Sequence, residues 1–172
     1  MKKFFYLCIL SLMTLSCCLM TSCNKDEDSK NEKEKGEELV TEGFADLGLP
    51  SGTKWKATNE GDGYYTYDEA AKKFGKKVPT KAQFEELVNE CKWTWVDKKG
   101  FKITGKNKKA IMLPAGGSRG QDGTIYSVGA EGFYWTSTPF GPDRGYRLGF
   151  NKEKPNINYM ARWGGGTIRL IE

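Results

Sequence analysis

The chain has no histidine among its 172 residues. This excludes histidine-based acid–base catalysis, Ser-His-Asp triads and the commonest zinc ligand. Beyond residue 23 there is a single cysteine, Cys91, so no disulfide can form within that region. About 130 residues must therefore fold by burial of apolar side chains, and that length suffices for one core. We expect Cys91 to be a buried structural thiol at the end of a helix.

A long apolar run that could cross a bilayer is also absent. Residues 4–15 are mainly apolar but too short to span, and they follow two lysines, which is typical of a secretory signal peptide. Small hydroxylated residues then precede Cys23. We interpret residues 1–22 as a lipoprotein signal peptide and Cys23 as the lipid-attachment site, carrying acyl chains such as palmitate. The alternative is an ordinary signal peptide that ends near Cys17 or Cys18 and releases a secreted protein.

The segment that follows is rich in charge and poor in apolar side chains. Residues 24–42 contain four lysines and eight acidic residues. We predict that residues 23–42 are a lipidated, disordered spacer that holds a domain off the membrane. Residues 24–28 resemble the signals that send some Gram-negative lipoproteins to the outer face of the outer membrane. We therefore expect a lipid-anchored protein facing the cell exterior, unless these charges only keep the spacer solvated.

The remaining chain, residues 43–172, is basic, with 21 basic and 14 acidic residues and a net charge of +7. A basic balance is compatible with nucleic acid, anionic glycans or lipopolysaccharide as a neighbour. Here the lysines are scattered, and several pairs lie in turn-like stretches. We interpret them as a solvated surface, and a location on the cell surface argues against a nucleic-acid partner.

Two capping boxes predict two helices in this region. Thr66 followed by Glu69 opens the first helix, which we expect to end at Gly75. Thr80 followed by Gln83 opens the second. Its apolar residues recur at helical spacing and so share one face. They are Phe84, Leu87, Val88 and Cys91.

Short strand-like runs follow, separated by glycines, and 20 of the 21 glycines lie in residues 43–172. Two helices among many short strands predict an α+β fold, with an irregular glycine-rich segment at 115–132. The predicted strands are 54–58, 93–96, 101–104, 111–113, 133–137, 146–150 and 167–171.

Six ordered sequence blocks resemble a known domain. They are 46–55, 79–87, 91–95, 111–117, 134–138 and 162–171. Together they are similar to the C-type-lectin-like domain of the formylglycine-generating-enzyme superfamily, in the major paralogous form found in lipoproteins of gut anaerobic Gram-negative bacteria. The resemblance implies that residues 43–172 form a C-type-lectin-like domain, with short, mostly antiparallel strands and long glycine-rich loops. It also implies that the C-terminal stretch faces the ligand, and in some relatives retroelements diversify this stretch, giving variable proteins.

The family's catalytic and calcium-binding signatures are missing. Formylglycine-generating enzymes use two active-site cysteines, whereas this region has only Cys91. Calcium-dependent lectins place an acid or amide before a proline, but here Lys154 and Gly141 occupy the corresponding positions. We interpret Asp122-Gly123 as a turn rather than a calcium loop. We therefore predict no catalytic residue, metal or cofactor, and a protein that is not an enzyme.

The tryptophans have two interpretations. Four of them recur in the family blocks, and we expect core packing rather than a sugar-stacking platform. They are Trp55, Trp93, Trp95 and Trp135. Trp163 differs, because it lies among glycines and Arg162 with little apolar sequence around it.

The C-terminal stretch supplies the ligand-binding candidates. Alternation along 146–150 places Tyr146, Leu148 and Phe150 on one face of a strand and Arg147 and Gly149 on the other. Exposed arginine and aromatic side chains are typical of binding surfaces. The candidates are Asp143, Arg144, Arg147, Tyr159, Met160 and Trp163.

We predict metal-independent binding or adhesion to an extracellular protein or glycan. The alternatives are a structural or accessory envelope lipoprotein, whose C-terminal loop merely closes the fold, and a divergent formylglycine-generating-type enzyme.

The anchor assignment makes the first prediction. Cys23→Ala should abolish fatty-acid labelling and release or mislocalise the protein, because the acyl chains on that residue supply the membrane affinity. Membrane fractionation with labelled fatty acid checks this. The matched control is Cys91→Ala, which should stay in the membrane fraction. Continued labelling of the Cys23→Ala variant would contradict the assignment.

Overall fold

A computed structural model describes residues 36–61 and 63–172. The predicted signal peptide, Cys23 and the first part of the spacer lie outside these residues. The described part is mixed α+β, with two helices and short strands that pair mostly antiparallel in several small sheets, as predicted. Neither of those two helices has the length and apolar character needed to cross a membrane.

Eleven strands are present in the described part of the chain, and most are short. In chain order they are β1 (Glu38–Leu39), β2 (Phe44–Asp46), β3 (Lys54–Lys56), β4 (Lys92–Val96), β5 (Gly100–Thr104), β6 (Lys109–Pro114), β7 (Ser118–Arg119), β8 (Ile125–Tyr126), β9 (Glu131–Phe140), β10 (Arg144–Asn151) and β11 (Pro155–Ala161).

Helix α1 spans Tyr67–Phe74, and the predicted capping box is present at its start. The Thr66 side chain accepts from the Glu69 amide at 3.3 Å, and the Glu69 carboxylate accepts from the Thr66 amide at 2.8 Å. The helix ends at Gly75, whose φ of 53° is a conformation that glycine adopts without a steric penalty. The prediction of this helix is confirmed at both ends.

Helix α2 spans Lys81–Glu90 and begins with the second predicted capping box, formed by Thr80 and Gln83. Its predicted apolar face is confirmed, because Phe84 and Leu87 are fully buried. Cys91 is the C-cap residue. A 3₁₀ turn, Gly75–Lys77, precedes the helix.

The four-stranded sheet has the order β1-β6-β5-β4. Its strand β1 lies before residue 43, where we predicted that the domain begins. β1 pairs with β6 in parallel, and the Val40 amide donates to the Ala110 carbonyl at 2.8 Å. Glu37 forms ion pairs with Lys102 and with Lys92. The spacer was predicted to stay disordered up to residue 42. Its last residues are instead held by strand pairing and by packing of Val40 against the core.

The three-stranded sheet has the order β11-β10-β9 and carries the C-terminal candidates. Leu148 and Phe150 are buried in the main core, and Arg147 and Gly149 share the opposite face. The predicted alternation is therefore confirmed at these positions. The remaining strands form two small pairs, β2 with β3 and β7 with β8.

The predicted strand at 167–171 is wrong as a continuous strand. The segment makes isolated bridges to different partners: Thr167 pairs with Tyr134, and Ile171 pairs with Trp55. Just before it, Gly166 bridges to Tyr65. Because each residue meets a different element, no ladder forms, although the segment is buried as a strand would be.

The prediction that the tryptophans pack in the core is confirmed for Trp55 and Trp135, which are fully buried. Trp93 and Trp95 are half-buried, with ring centroids 5.3 Å and 5.2 Å from that of Phe101. These two rings pack partly against the core and partly face solvent.

The most unusual core residue is Arg169, which is fully buried. Its guanidinium donates to the carbonyl of Lys56 at 2.8 Å and to that of Met112 at 2.5 Å. It makes no ion pair with a carboxylate of the described chain, and burial lowers the pKa of its guanidinium. Arg169 therefore ties β3 to β6 through neutral acceptors.

Removing this side chain gives the second prediction. Arg169→Ala should lower the free energy of unfolding by roughly 3 kcal/mol or more, because it leaves two buried carbonyls without a donor and opens a cavity. Urea unfolding followed by tryptophan fluorescence measures it. The exposed control Lys152→Ala should change stability by about 0.5 kcal/mol or less. A loss below about 1 kcal/mol for Arg169→Ala would contradict this account.

Candidate functional site

The predicted ligand-binding residues lie on β10, β11 and their flanking turns, but not on one surface. In the antiparallel register Tyr146 lies opposite Tyr159, and Arg147 lies opposite Asn158. Side chains alternate between the two faces of a strand. Arg144 and Tyr159 therefore share one face, and Arg147 and Met160 share the other. The hairpin divides the candidate set into two groups.

On the first face, three aromatic rings form a ladder with a cation at each end. Phe140 and Tyr159 are stacked, with centroids 4.1 Å apart and planes inclined by 8°. Tyr146 meets Phe140 edge to face at 5.1 Å. Arg144 lies over the Tyr159 ring at 5.3 Å, and Lys81 lies over the Tyr146 ring at 5.1 Å. We call these five residues the aromatic ladder.

The aromatic ladder is accessible to a ligand. Tyr159 is 46% exposed, and Arg144 and Asp143 are exposed as well. Arg144 is 3.9 Å from the Asp143 carboxylate, an exposed pair that contributes little to stability. The guanidinium can therefore exchange this partner for a ligand group at low cost.

Sequence reasoning assigned Arg144 and Tyr159 to the site but missed Phe140 and Lys81, and it placed Tyr146 on the same strand face as Leu148 and Phe150. Tyr146 does lie on that face, but at the end of the sheet beyond the buried Leu148, so it is only half-buried. Phe140 is the last residue of β9, and only strand register brings it to Tyr159. Alternating aromatics at the ends of adjacent strands were the available signal.

On the second face, Arg147 is a brace rather than an exposed arm. Its Nε donates to Asn158 Oδ1 at 2.8 Å, and its Nη1 lies 3.0 Å from the sulfur of Met160. The guanidinium also lies 4.0 Å from the centroid of Phe133. Burial lowers the pKa of Arg147 to about 10. Trp163, in the turn after β11, is 56% exposed.

A polar groove runs along the same face of β10 and β11. One part, about 160 Å³ in volume, is lined by Phe133, Asn156 and Asn158 among others. An adjoining depression of about 480 Å³ is lined by Trp95 among others. Three residues line both parts. The shared lining residues are Glu131, Asn151 and Glu153. We call the combined depression the polar groove.

Several groups in the polar groove are free to bind. The side chains of Glu153 and Asn156 make no hydrogen bond or ion pair with another described residue. Asn158 Oδ1 accepts from Arg147, so its amide nitrogen remains available as a donor. Arg147 therefore fixes the orientation of one amide at the edge of the groove.

Of the residues in strings that resemble calcium-binding motifs, Asp122 and Asp143 lie in turns and Asn156 lies on β11. Asp122 accepts from the amide of Thr124 at 3.0 Å, and Gly123 has a φ of 83°, which is the predicted Asp-Gly turn. The Asp143 carboxylate lies 3.9 Å from the Arg144 guanidinium. Asn156 follows Lys154 and Pro155 in the sequence. Between residues 36 and 172, leaving out residue 62, no group of three His, Cys, Asp or Glu side chains is arranged to hold a metal.

Cys91 has the properties of a structural thiol. It is partly buried, and burial, followed by the charges of Glu90 and Glu86, raises the pKa of its thiol to about 11. A nucleophilic cysteine requires the opposite shift, because the thiolate is the reactive form. Cys91 therefore does not have the lowered thiol pKa that a nucleophilic cysteine of a formylglycine-generating-type enzyme would need.

Comparison with models of protein families, with curated proteins and with solved structures gave no match.

The thiol provides the third prediction. At pH 8, iodoacetamide should alkylate Cys91 of the folded protein roughly a hundredfold more slowly than Cys91 of the urea-unfolded protein. A raised pKa leaves less thiolate at a given pH, so the rate should climb as the pH rises toward 11. Mass spectrometry of the peptide containing Cys91 measures the rate. Equal rates in folded and unfolded protein would show an exposed, reactive thiol.

Proposed function

We propose that this protein is a surface-anchored lipoprotein whose C-type-lectin-like domain binds an extracellular protein without a metal ion. The lipid anchor at Cys23 and the outward location are carried by the sequence signals. The fold assignment is supported by the ordered family blocks and by the mixed α+β architecture with many short antiparallel strands. The protein acts by binding or adhesion rather than by catalysis.

The aromatic ladder is the observation that carries this proposal. Aromatic and arginine side chains dominate the energetics of protein interfaces, since they bury large areas at a low entropic cost. In the ladder they are already held in one geometry by stacking on a strand framework. A partner would therefore meet a pre-organised surface.

The geometry of the ladder favours a protein over a sugar as its ligand. A sugar stacks on an open ring face, but Phe140 covers one face of Tyr159, and the Arg144 guanidinium lies 5.3 Å from the centroid of the same ring. What remains available is the Tyr159 hydroxyl, the ring edges and the guanidinium. These groups suit carboxylate, backbone and aromatic groups of a protein.

A glycan is the second candidate ligand, and the polar groove is the observation that favours it. Its amide and carboxylate groups can bind sugar hydroxyls as donors and acceptors, and Trp95 offers a partly open ring. The lining contains Asp97, Glu131 and Glu153 against Lys152 and Lys154. This local balance suits a neutral glycan better than an anionic one, although the domain as a whole is basic.

A structural or accessory envelope lipoprotein remains the competing function. It requires no accessible ladder and would tolerate loss of the ladder residues. The ligand-binding proposal requires that binding fall when these residues are removed while the fold persists.

The fourth prediction tests the ladder. Tyr159→Ala and Arg144→Ala should each weaken binding to a protein ligand about thirtyfold or more, corresponding to a loss of about 2 kcal/mol at a hot spot. Both side chains are exposed, so the melting temperature should stay within a few degrees. The probe is an array of mucosal and extracellular-matrix proteins printed beside neutral glycans, with and without chelator. Chelator should change nothing.

The matched control is Tyr126→Ala, which removes a tyrosine that is 51% exposed on β8, outside the ladder. It should bind as the unmodified protein does. If Tyr159→Ala binds normally to every protein ligand, the ladder is not the site. If only glycans bind and Asn156→Ala abolishes their binding, the polar groove is the site instead. If chelator abolishes binding, a metal site is present after all.

A further inference from the structure

The hydrogen-bond register of the last hairpin shows which backbone groups of β11 face outward. At one end the Arg162 amide donates to the Asp143 carbonyl at 2.9 Å, and at the other the Asn151 amide approaches the Lys154 carbonyl at 3.5 Å. Bonded and non-bonded pairs alternate in an antiparallel ladder. Asn156, Asn158 and Met160 therefore bond to β10. The amides and carbonyls of Ile157 and Tyr159 point away from it.

This outward edge is unpaired. β11 is the outer strand of its sheet, and within residues 36–61 and 63–172 no group forms a hydrogen bond with the backbone of Ile157 or Tyr159 on that side. Buried backbone groups are almost always paired, so these groups face solvent in the free protein. An unpaired edge of this kind is a template for another strand.

We propose that β11 receives an extended segment of the protein partner as a fourth strand of the sheet, an inference that rests on the proposed protein-binding function. Strand addition of this type uses main-chain hydrogen bonds for affinity and flanking side chains for specificity. Tyr159 joins the two elements, because its side chain belongs to the aromatic ladder and its backbone lies on the free edge.

The flanking side chains define the chemistry of the segment. Side chains of an added strand would alternate between the ladder face and the polar-groove face. On the ladder face the segment should carry an aromatic or aliphatic residue beside Tyr159 and a carboxylate toward Arg144. On the other face, polar residues would lie beside Asn156 and Asn158.

Charge argues against a second copy of this chain as the occupant. In an antiparallel pairing of two copies centred on Asn158, Lys154 of each copy would face Arg162 of the other. Like charges directly opposite each other destabilise strand pairing. Arg162 is already paired with Asp68 at 3.4 Å, so the cations that attract an acidic segment are Lys154, just before β11, and Arg144 beside Tyr159.

The test uses linear 12-residue peptides selected by phage display on the full-length protein in detergent, and the variant Ile157→Pro. Proline removes the outward amide and leaves both neighbouring bonds to β10 intact, and edge strands tolerate it where the amide faces solvent. Ile157→Ala is the matched control, because it shortens the same side chain but keeps the amide. Melting temperatures confirm that both variants fold.

We expect recovery of acidic, aromatic-containing peptides that Ile157→Pro binds at least tenfold more weakly, while Ile157→Ala binds within about threefold of the unmodified protein. Hydrogen exchange gives an independent measurement. In the free protein the amides of Ile157 and Tyr159 should exchange faster than those of Asn156 and Asn158, and bound peptide should slow them.

The outcomes separate this inference from the proposed function. If Tyr159→Ala abolishes binding but Ile157→Pro does not, and no amide becomes protected, the added strand is excluded and the ladder remains the site. If Ile157→Pro abolishes binding and Tyr159→Ala does not, the edge is the site and the ladder is not. If selection yields no peptide that Ile157→Pro releases, the inference is overturned.

Discussion

The buried guanidinium of Arg169 is the interaction on which the architecture depends. A buried cation is costly unless hydrogen bonds offset its loss of water. The two terminal nitrogens of Arg169 donate to the main-chain carbonyls of Lys56 and Met112, which belong to different sheets, whereas its buried Nε has no hydrogen-bond partner in the described part of the chain. The two-stranded and four-stranded sheets are therefore held at a fixed separation by a side chain from the end of the chain. Folding of the last residues is coupled to assembly of both sheets.

The rest of the closing segment extends this role to the sheet that carries the candidate site. The amide of Trp135 donates to the Thr167 carbonyl at 3.2 Å, and the Thr167 hydroxyl donates to the Phe133 carbonyl at 2.8 Å. Tyr134, between these residues, donates its buried hydroxyl to the Pro114 carbonyl at 2.8 Å. β9 is therefore held along its edge by the closing segment and on its core face through Tyr134. Its terminal Phe140 is presented from a rigid base, and the aromatic ladder depends on that rigidity.

Local sequence signals predicted much of the fold, and long-range pairing accounts for what they missed. The capping boxes at Thr66 and Thr80 could be predicted because each one involves residues only three positions apart. Strand alternation predicted that Leu148 and Arg147 lie on opposite faces of β10. The closing segment failed as a strand prediction because its partners, such as Trp55 and Tyr134, are distant in sequence and unrelated to one another. Two-residue strands such as β1 and β7 are too short to leave a periodic pattern.

The candidate site shows the same division between local and long-range information. Composition identified Arg144, Arg147 and Tyr159 as binding-type residues, but only register distinguishes the exposed ones from the brace. Arg147 is held by Asn158 and Phe133, so its charge orders the sheet and the edge of the polar groove before any ligand arrives. Tyr159 follows Asn158 in β11 and therefore points to the opposite face. A hairpin that uses one face for internal bracing can present the other as a pre-organised surface, and this lowers the ordering cost of binding.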